Sequence, residues 1–200
     1  ETRSEYWSKT NGYTDVSAES WYNNAISTLS NMGIIDGYPD GSFRPNAPIT
    51  RAEFTKIAVS FFEYADYEYR NTFPDVHAGS WYTQFVAAAV ELGLIEGYPD
   101  GTFRPDASIT RAEACTIVNR TLGRAPDEEH LLPVNVMITW PDNLPGYWYY
   151  ADMQEATNSH DYEWLGAIED WTAKLEERDW AELEKMWSEA NDAPGGEVMG

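Results

Sequence analysis

The segment Gly37-Tyr38-Pro39-Asp40-Gly41-Ser42-Phe43-Arg44-Pro45, then Ile49-Thr50-Arg51-Ala52-Glu53, returns almost letter for letter 60 residues later. The second copy reads Gly97-Tyr98-Pro99-Asp100-Gly101-Thr102-Phe103-Arg104-Pro105, then Ile109-Thr110-Arg111-Ala112-Glu113. A repeat this long, with no insertion between copies, makes the chain an array of similar units. Most of the repeated letters set backbone geometry: proline and glycine make turns, and threonine with glutamate starts a helix. The arginine after each threonine has no such task, which singles it out for function.

Two units follow from the repeat, over residues 13–64 and 73–124, with residues 1–12 as a polar linker. Each opens on an aromatic-x-Asp-Val start, Tyr13 to Val16 and Phe73 to Val76, and Trp-Tyr comes six residues after each aspartate. Helical spacing places Trp21, Ala25, Ile26, Leu29 and Met32 on one face, and Trp81, Phe85, Val86, Ala89 and Leu92 on its twin. Gly33 and Gly93 stand where a glycine would end each helix. The Gly-Tyr-Pro-Asp-Gly segments predict turns. Phe43-Arg44-Pro45 predicts an extended stretch, because a residue before proline avoids the helical region. Thr50 with Glu53, and Thr110 with Glu113, predict capping boxes, with Ile49 placed to staple onto Phe54. The helices they start carry Phe54, Ile57, Ala58, Phe61 and Phe62 as a core stripe, and Ala114, Ile117, Val118 and Leu122 as a smaller one.

A third unit, residues 140–187, is altered and joined by a connection over residues 125–139. Trp140-Pro141-Asp142 reproduces the opening, and Trp148-Tyr149 keeps the six-residue spacing. The glycine turn is replaced by residues 158–172, and Asp179-Trp180-Ala181-Glu182 stands where Thr-Arg-Ala-Glu is expected. The cap survives while the arginine is lost. Trp164, Trp171, Trp180 and Trp187, spaced 7, 9 and 7 apart, predict helix packing in this unit or an added sugar-binding face. Residues 188–200 read as a flexible tail.

The net charge of −21 repels nucleic acid and anionic lipid, so neither is an expected partner. No apolar run reaches membrane-spanning length, so no membrane insertion is expected. Cys115, the single cysteine, allows no internal disulfide and reads as a small core residue. The chain opens at Glu1 with neither methionine nor signal peptide, which reads as a processed protein or a region of a longer one.

Asp15-Val16, Trp21, Gly37 to Gly41, Phe43-Arg44-Pro45 and Thr50 to Glu53, with their second copies, closely resemble the S-layer homology (SLH) domain. The resemblance implies a mainly α fold, a pseudo-threefold spindle of three helix-loop-helix repeats around a central helical bundle. It implies an exported protein held non-covalently at the bacterial cell surface, in the S-layer or wall. The usual ligand is a secondary cell-wall polysaccharide carrying a pyruvate-ketal amino sugar, bound in grooves between repeats. In some lineages modified peptidoglycan takes its place.

Arg51 and Arg111 stand at the first helical position, where a cation opposes the helix dipole and where free N–H groups favour an anion. Each is placed either to read a carboxylate or to form an internal salt bridge with a neighbouring aspartate. Two competent grooves are expected, with the third degenerate. Trp21, Trp81 and Trp148 are candidates for stacking on a sugar face or for core packing. Asp15, Asp75 and Asp142 either cap helices and shape turns or accept bonds from sugar hydroxyls. Gly41 and Gly101 either bring backbone close to a ligand or serve the turn alone. Glu53 and Glu113 are explained by capping, so no enzyme is expected. His77, His130 and His160 share no ligand spacing, so neither a metal nor a cofactor is expected. The alternative is a protein-interaction or self-assembly module with a tryptophan-rich face; the chain alone is expected to be a monomer.

Overall fold

The computed structural model describes residues 10–62 and 73–179, together with 182, 183, 185 and 186. Trp180 and Trp187, nearly all of the expected linker and the expected tail lie outside the described residues. The chain divides into two compact units, Glu1–Ala47 with Arg178–Gly200, and Pro48–Glu177. These do not coincide with the sequence repeats, because the first repeat is divided between its loop and its second helix.

In the first unit, helix α1 (Asn23–Asn31) ends in a Schellman turn: Ile34 N–H bonds the Leu29 carbonyl at 2.9 Å and Gly33 N–H that of Ser30 at 3.0 Å. Gly33 takes φ +73° there, the left-handed conformation that a glycine adopts without strain. Asp179 begins a last helical turn by accepting from Glu182 N–H at 3.0 Å, as its capping role predicts.

The second unit holds α2 (Arg51–Val59), α3 (Thr83–Glu91), α4 (Arg111–Thr121), a 3-10 turn (Glu128–His130), α5 (Tyr150–Thr157), β1 (His160–Leu165) and β2 (Ile168–Lys174). Helix α2 packs on α3 and α4, and α4 packs on α5. Their core contains Val59, Val76, Val86, Ala88, Leu94 and Phe103, each at most 2% exposed. Both capping boxes form as predicted, with Thr50 and Thr110 accepting from the N–H of Glu53 and Glu113. Among the described residues no helix is long and apolar enough to cross a membrane.

Three local expectations are corrected. The buried face of α2 is Ala52, Thr55, Ala58 and Val59; Phe54 and Phe62 pack only at its margin and Phe61 is exposed. Likewise α4 buries Thr116, Ile117 and Asn119 while Val118 and Leu122 face solvent, and Ala25 on α1 is exposed. Small residues fill these faces because the helices meet closely, leaving large side chains to the edges. Arg44 and Arg104 are left-handed rather than extended, with φ of 60° and 59°. Finally, residues 160–174 form an antiparallel hairpin, turned at Gly166 and Ala167, so Trp164 and Trp171 lie on strands and not on a packed helix.

Candidate functional site

The repeated loop is closed by its own polar groups. The Asp75 carboxylate accepts from Phe103 N–H at 2.9 Å and Arg104 N–H at 2.6 Å; Asp15 does the same for Phe43 and Arg44, at 2.8 Å each. Asp15 and Asp75 are therefore loop staples, and helices α1 and α3 start without a side-chain cap. These amide bonds hold the left-handed arginine in place. Its side chain lies over a tyrosine ring (Arg104 over Tyr98, Arg44 over Tyr38, each at 4.0 Å) and pairs with Asp100 or Asp40. Gly41 and Gly101 complete the turn at φ +79° and +80°. Gly37 and Gly97 are required by space, since a Cβ on either would collide with the Tyr13 or Phe73 ring.

These carboxylates titrate low. The Ser42 and Thr102 hydroxyls, then Arg44 and Arg104, hold Asp40 and Asp100 well below the usual carboxylate range. Burial works against ionisation at Asp75, but the Phe103 and Arg104 N–H groups outweigh it. A carboxylate that titrates lower folded than unfolded contributes stability above its ordinary pKa and loses it as pH falls through the folded value. Thermal melts from about pH 7 to about pH 3 should therefore show Tm falling steadily once pH drops below the ordinary aspartate range near 4. Replacing Asp75 with asparagine should flatten that fall, and an unchanged profile would exclude the staple as its source.

The two repeated arginines have opposite fates. Arg51 is buried, with its Nη1 2.9 Å from Glu113 Oε1 and its Nε donating to the Phe103 carbonyl at 2.9 Å. Its guanidinium lies 4.6 Å from the Tyr98 ring centre and 5.0 Å from that of Phe103. Its partner is thus a glutamate and not an aspartate. Glu113 also accepts from Thr110 N–H at 2.8 Å and from the Tyr98 hydroxyl at 2.5 Å, joining the first arginine to the second capping box. Burial opposes its ionisation, yet Thr110, Tyr98 and Arg51 together pull its pKa down. The N-terminus of α2 is closed as well, with Arg51 N–H on the Ala107 carbonyl at 2.9 Å and Ala52 N–H on that of Pro105 at 3.0 Å.

The start of α4 is open. Arg111 is exposed, and neither its guanidinium nor its N–H, nor that of Ala112, has a hydrogen-bond or ion-pair partner among the described residues. Thr110, Arg111 and Ala112 line a groove of about 470 Å³, faced by Trp140, Asp142, Asn143, Tyr149, Met153 and Thr157. Asp142, unlike Asp15 and Asp75, staples no glycine loop among the described residues and lines the groove.

Of the tryptophans, Trp148 borders a second cavity of about 400 Å³ beside Arg51, Tyr98 and Glu113. Trp21 and Trp81 lie outside both cavities. All three are exposed, at 92%, 55% and 67% for Trp21, Trp81 and Trp148, so core packing is excluded for them. Each meets the next tyrosine edge to face, with ring centres 5.3–5.4 Å apart. Sequence reasoning missed Trp140 as a groove residue. The signal was available: Trp140 stands two residues before Asp142 as Tyr13 and Phe73 stand before Asp15 and Asp75, and no Gly-Tyr-Pro-Asp-Gly segment follows it to receive its ring as Gly37 and Gly97 receive theirs.

The family model for the S-layer homology domain matches residues 12–55 and 72–115. "Cell surface glycoprotein 1" of Acetivibrio thermocellus is 32% identical over 160 residues, covering 75% of this chain and 7% of that protein. The "Cellulosome-anchoring protein" of the same organism is 34% identical over 155 residues, covering 75% of this chain and 33% of that protein. "Endo-1,4-beta-xylanase A" of Thermoanaerobacterium saccharolyticum is 40% identical over 95 residues, covering 47% of this chain and 8% of that enzyme. The chain thus spans a third or less of these relatives. With the repeated caps, stapled loops and arginines on these same segments, the chain belongs to the S-layer homology family.

Proposed function

We propose that this chain is a non-enzymatic anchor at the bacterial cell surface, binding a wall polysaccharide through the carboxylate of a pyruvate-ketal sugar. Residues 140–187 are taken as a diverged third repeat of a pseudo-threefold spindle. The observation that carries the reading is the contrast between the two helix starts. At α2 every early N–H and the arginine are already occupied, whereas at α4 the Arg111 guanidinium and two backbone N–H groups face a groove. A planar fork beside free helix N–H groups suits a carboxylate even on a chain of net charge −21. Trp140 and Tyr149 supply flat surface for the sugar ring, and Asp142 an acceptor for its hydroxyls. Arg51 belongs to the framework.

Calorimetric titration with purified pyruvylated wall polymer, before and after removal of the ketal, tests this. Arg111→Ala should weaken binding by roughly 10- to 100-fold, the worth of a charge-assisted hydrogen bond, with Tm unchanged. Removing the ketal should have a similar effect. Full affinity in Arg111→Ala, or for the ketal-free polymer, would exclude the carboxylate-reading groove.

A further inference from the structure

Between α5 and the hairpin, well away in chemistry from the sugar groove, three side chains converge without satisfying one another. Glu155, His160 and Glu169 have side chains that are 3%, 3% and 0% exposed. The Arg124 guanidinium takes one oxygen of each carboxylate, its Nε 3.6 Å from Glu155 Oε1 and its Nη1 3.5 Å from Glu169 Oε1. This orients the other two oxygens inward. Glu155 Oε2 lies 3.2 Å from His160 Nε2, and Glu169 Oε2 lies 3.9 Å from it. None of these three inward atoms makes a hydrogen bond, because the close approaches lack the alignment of one.

The imidazole is fixed for ligation. His160 Nδ1 is 2.8 Å from the Asn158 carbonyl, which can only accept, so Nδ1 carries a proton and Nε2 is the nitrogen left to face the carboxylates. Such an outer hydrogen bond is the usual support of a metal-binding histidine. The ring is also held flat on Trp171, with centres 3.6 Å apart and planes 12° from parallel.

We propose that Glu155, His160 and Glu169 bind a divalent transition ion of the Zn²⁺ class, closing the hairpin onto α5. One imidazole nitrogen and two carboxylate oxygens form a borderline donor set, too few oxygens for calcium. The 3.2 Å separation of Glu155 and His160 matches the edge of about 3.3 Å that tetrahedral bonds of about 2.0 Å require, whereas the 3.9 Å separation of Glu169 and His160 is wider, within an overall spread of 4.8 Å, so the carboxylates draw inward on binding. A cation satisfies all three orphaned atoms at once. The competing occupant, a proton on Nε2, supplies one misaligned N–H for two carboxylate oxygens. Neither residue spacing nor a motif announces the site, because its members come from a helix and two strands.

The test uses the full chain, stripped with chelator and titrated with Zn²⁺. One equivalent should bind, and Tm should rise by roughly 5–10 °C at a free ion concentration a hundredfold above Kd. Glu169→Gln and His160→Gln should each weaken binding more than tenfold. Should either variant fail to fold, the wild-type chain still decides, since Zn²⁺ should shift the His160 ring nitrogen resonances and Co²⁺ should give the visible bands of a four-coordinate centre. An unmoved His160 signal with no Co²⁺ bands, or one-equivalent binding retained in both variants, would overturn the site. So would a His160 ring that stays doubly protonated at neutral pH in the presence of excess Zn²⁺.

Discussion

Replacing Arg51 with alanine is expected to lower the free energy of unfolding by about 3–5 kcal/mol, the cost of removing one partner of a buried ion pair. The Arg51 and Glu113 side chains are only 7% and 11% exposed, so little solvent screens the loss. The deletion also leaves the Phe103 carbonyl without its donor and removes a cation from between two aromatic rings. Urea denaturation measures the effect. A double variant, Arg51→Met with Glu113→Leu, should recover a large part of it, because two well-packed apolar groups often replace a buried pair without penalty. A loss below about 1 kcal/mol for Arg51→Ala would show the pair to be energetically a surface contact. The twin change at Arg111, an exposed residue at the same motif position, should leave stability unchanged.

Phe103→Ala should cost about 3–5 kcal/mol as well, as expected for truncating a fully buried aromatic. Phe103 is 0% exposed, its ring lies 5.5 Å from that of Phe73, and its backbone holds both Asp75 and Arg51. Its counterpart Phe43 is half-buried and meets Tyr13 at 5.2 Å. Phe43→Ala should therefore cost about half as much, in proportion to the apolar surface it removes from water. Side-by-side denaturant curves check this, and equal losses would mean that the repeated letter, not its burial, sets the energy.

The parts of the fold that were legible in the sequence are local. Thr50, Glu53, Thr110 and Glu113 cap as written because a capping box needs only four consecutive residues, and Gly33 and Gly93 end helices for the same reason. Helix faces were less legible. Periodicity marked Ala58 correctly but also the large apolar residues Phe54, Ile57 and Phe61, whereas close packing selected Ala52, Thr55 and Val59 beside Ala58. The left-handed Arg44 and Arg104 defied the pre-proline rule because aspartates 29 residues upstream bond their amides, a contact no local pattern encodes. The hairpin did leave a signal: polar and aromatic letters alternate through Asp161 to Trp164, and Gly166 marks a turn.

The candidate site divides the same way. Both arginines were visible as letters without a structural task, but their difference was not. Arg51 finds Glu113 because α2 packs against α4, whereas the groove at Arg111 depends on Trp140 and Tyr149, which lie beyond the two matched repeats. Identical motifs therefore did opposite things, decided by the segment that packs against each.

The compact division at Ala47 and Pro48 falls inside the first sequence repeat, so the written repeat is not the unit of folding. The first copy gives its loop to one body and its second helix to the other, whereas the second copy keeps both in Pro48–Glu177. An array built this way cannot be shortened by deleting one written repeat without leaving a helix such as α2 with its buried face uncovered. Its length is constrained by packing, and single copies are not interchangeable modules, even where their letters agree.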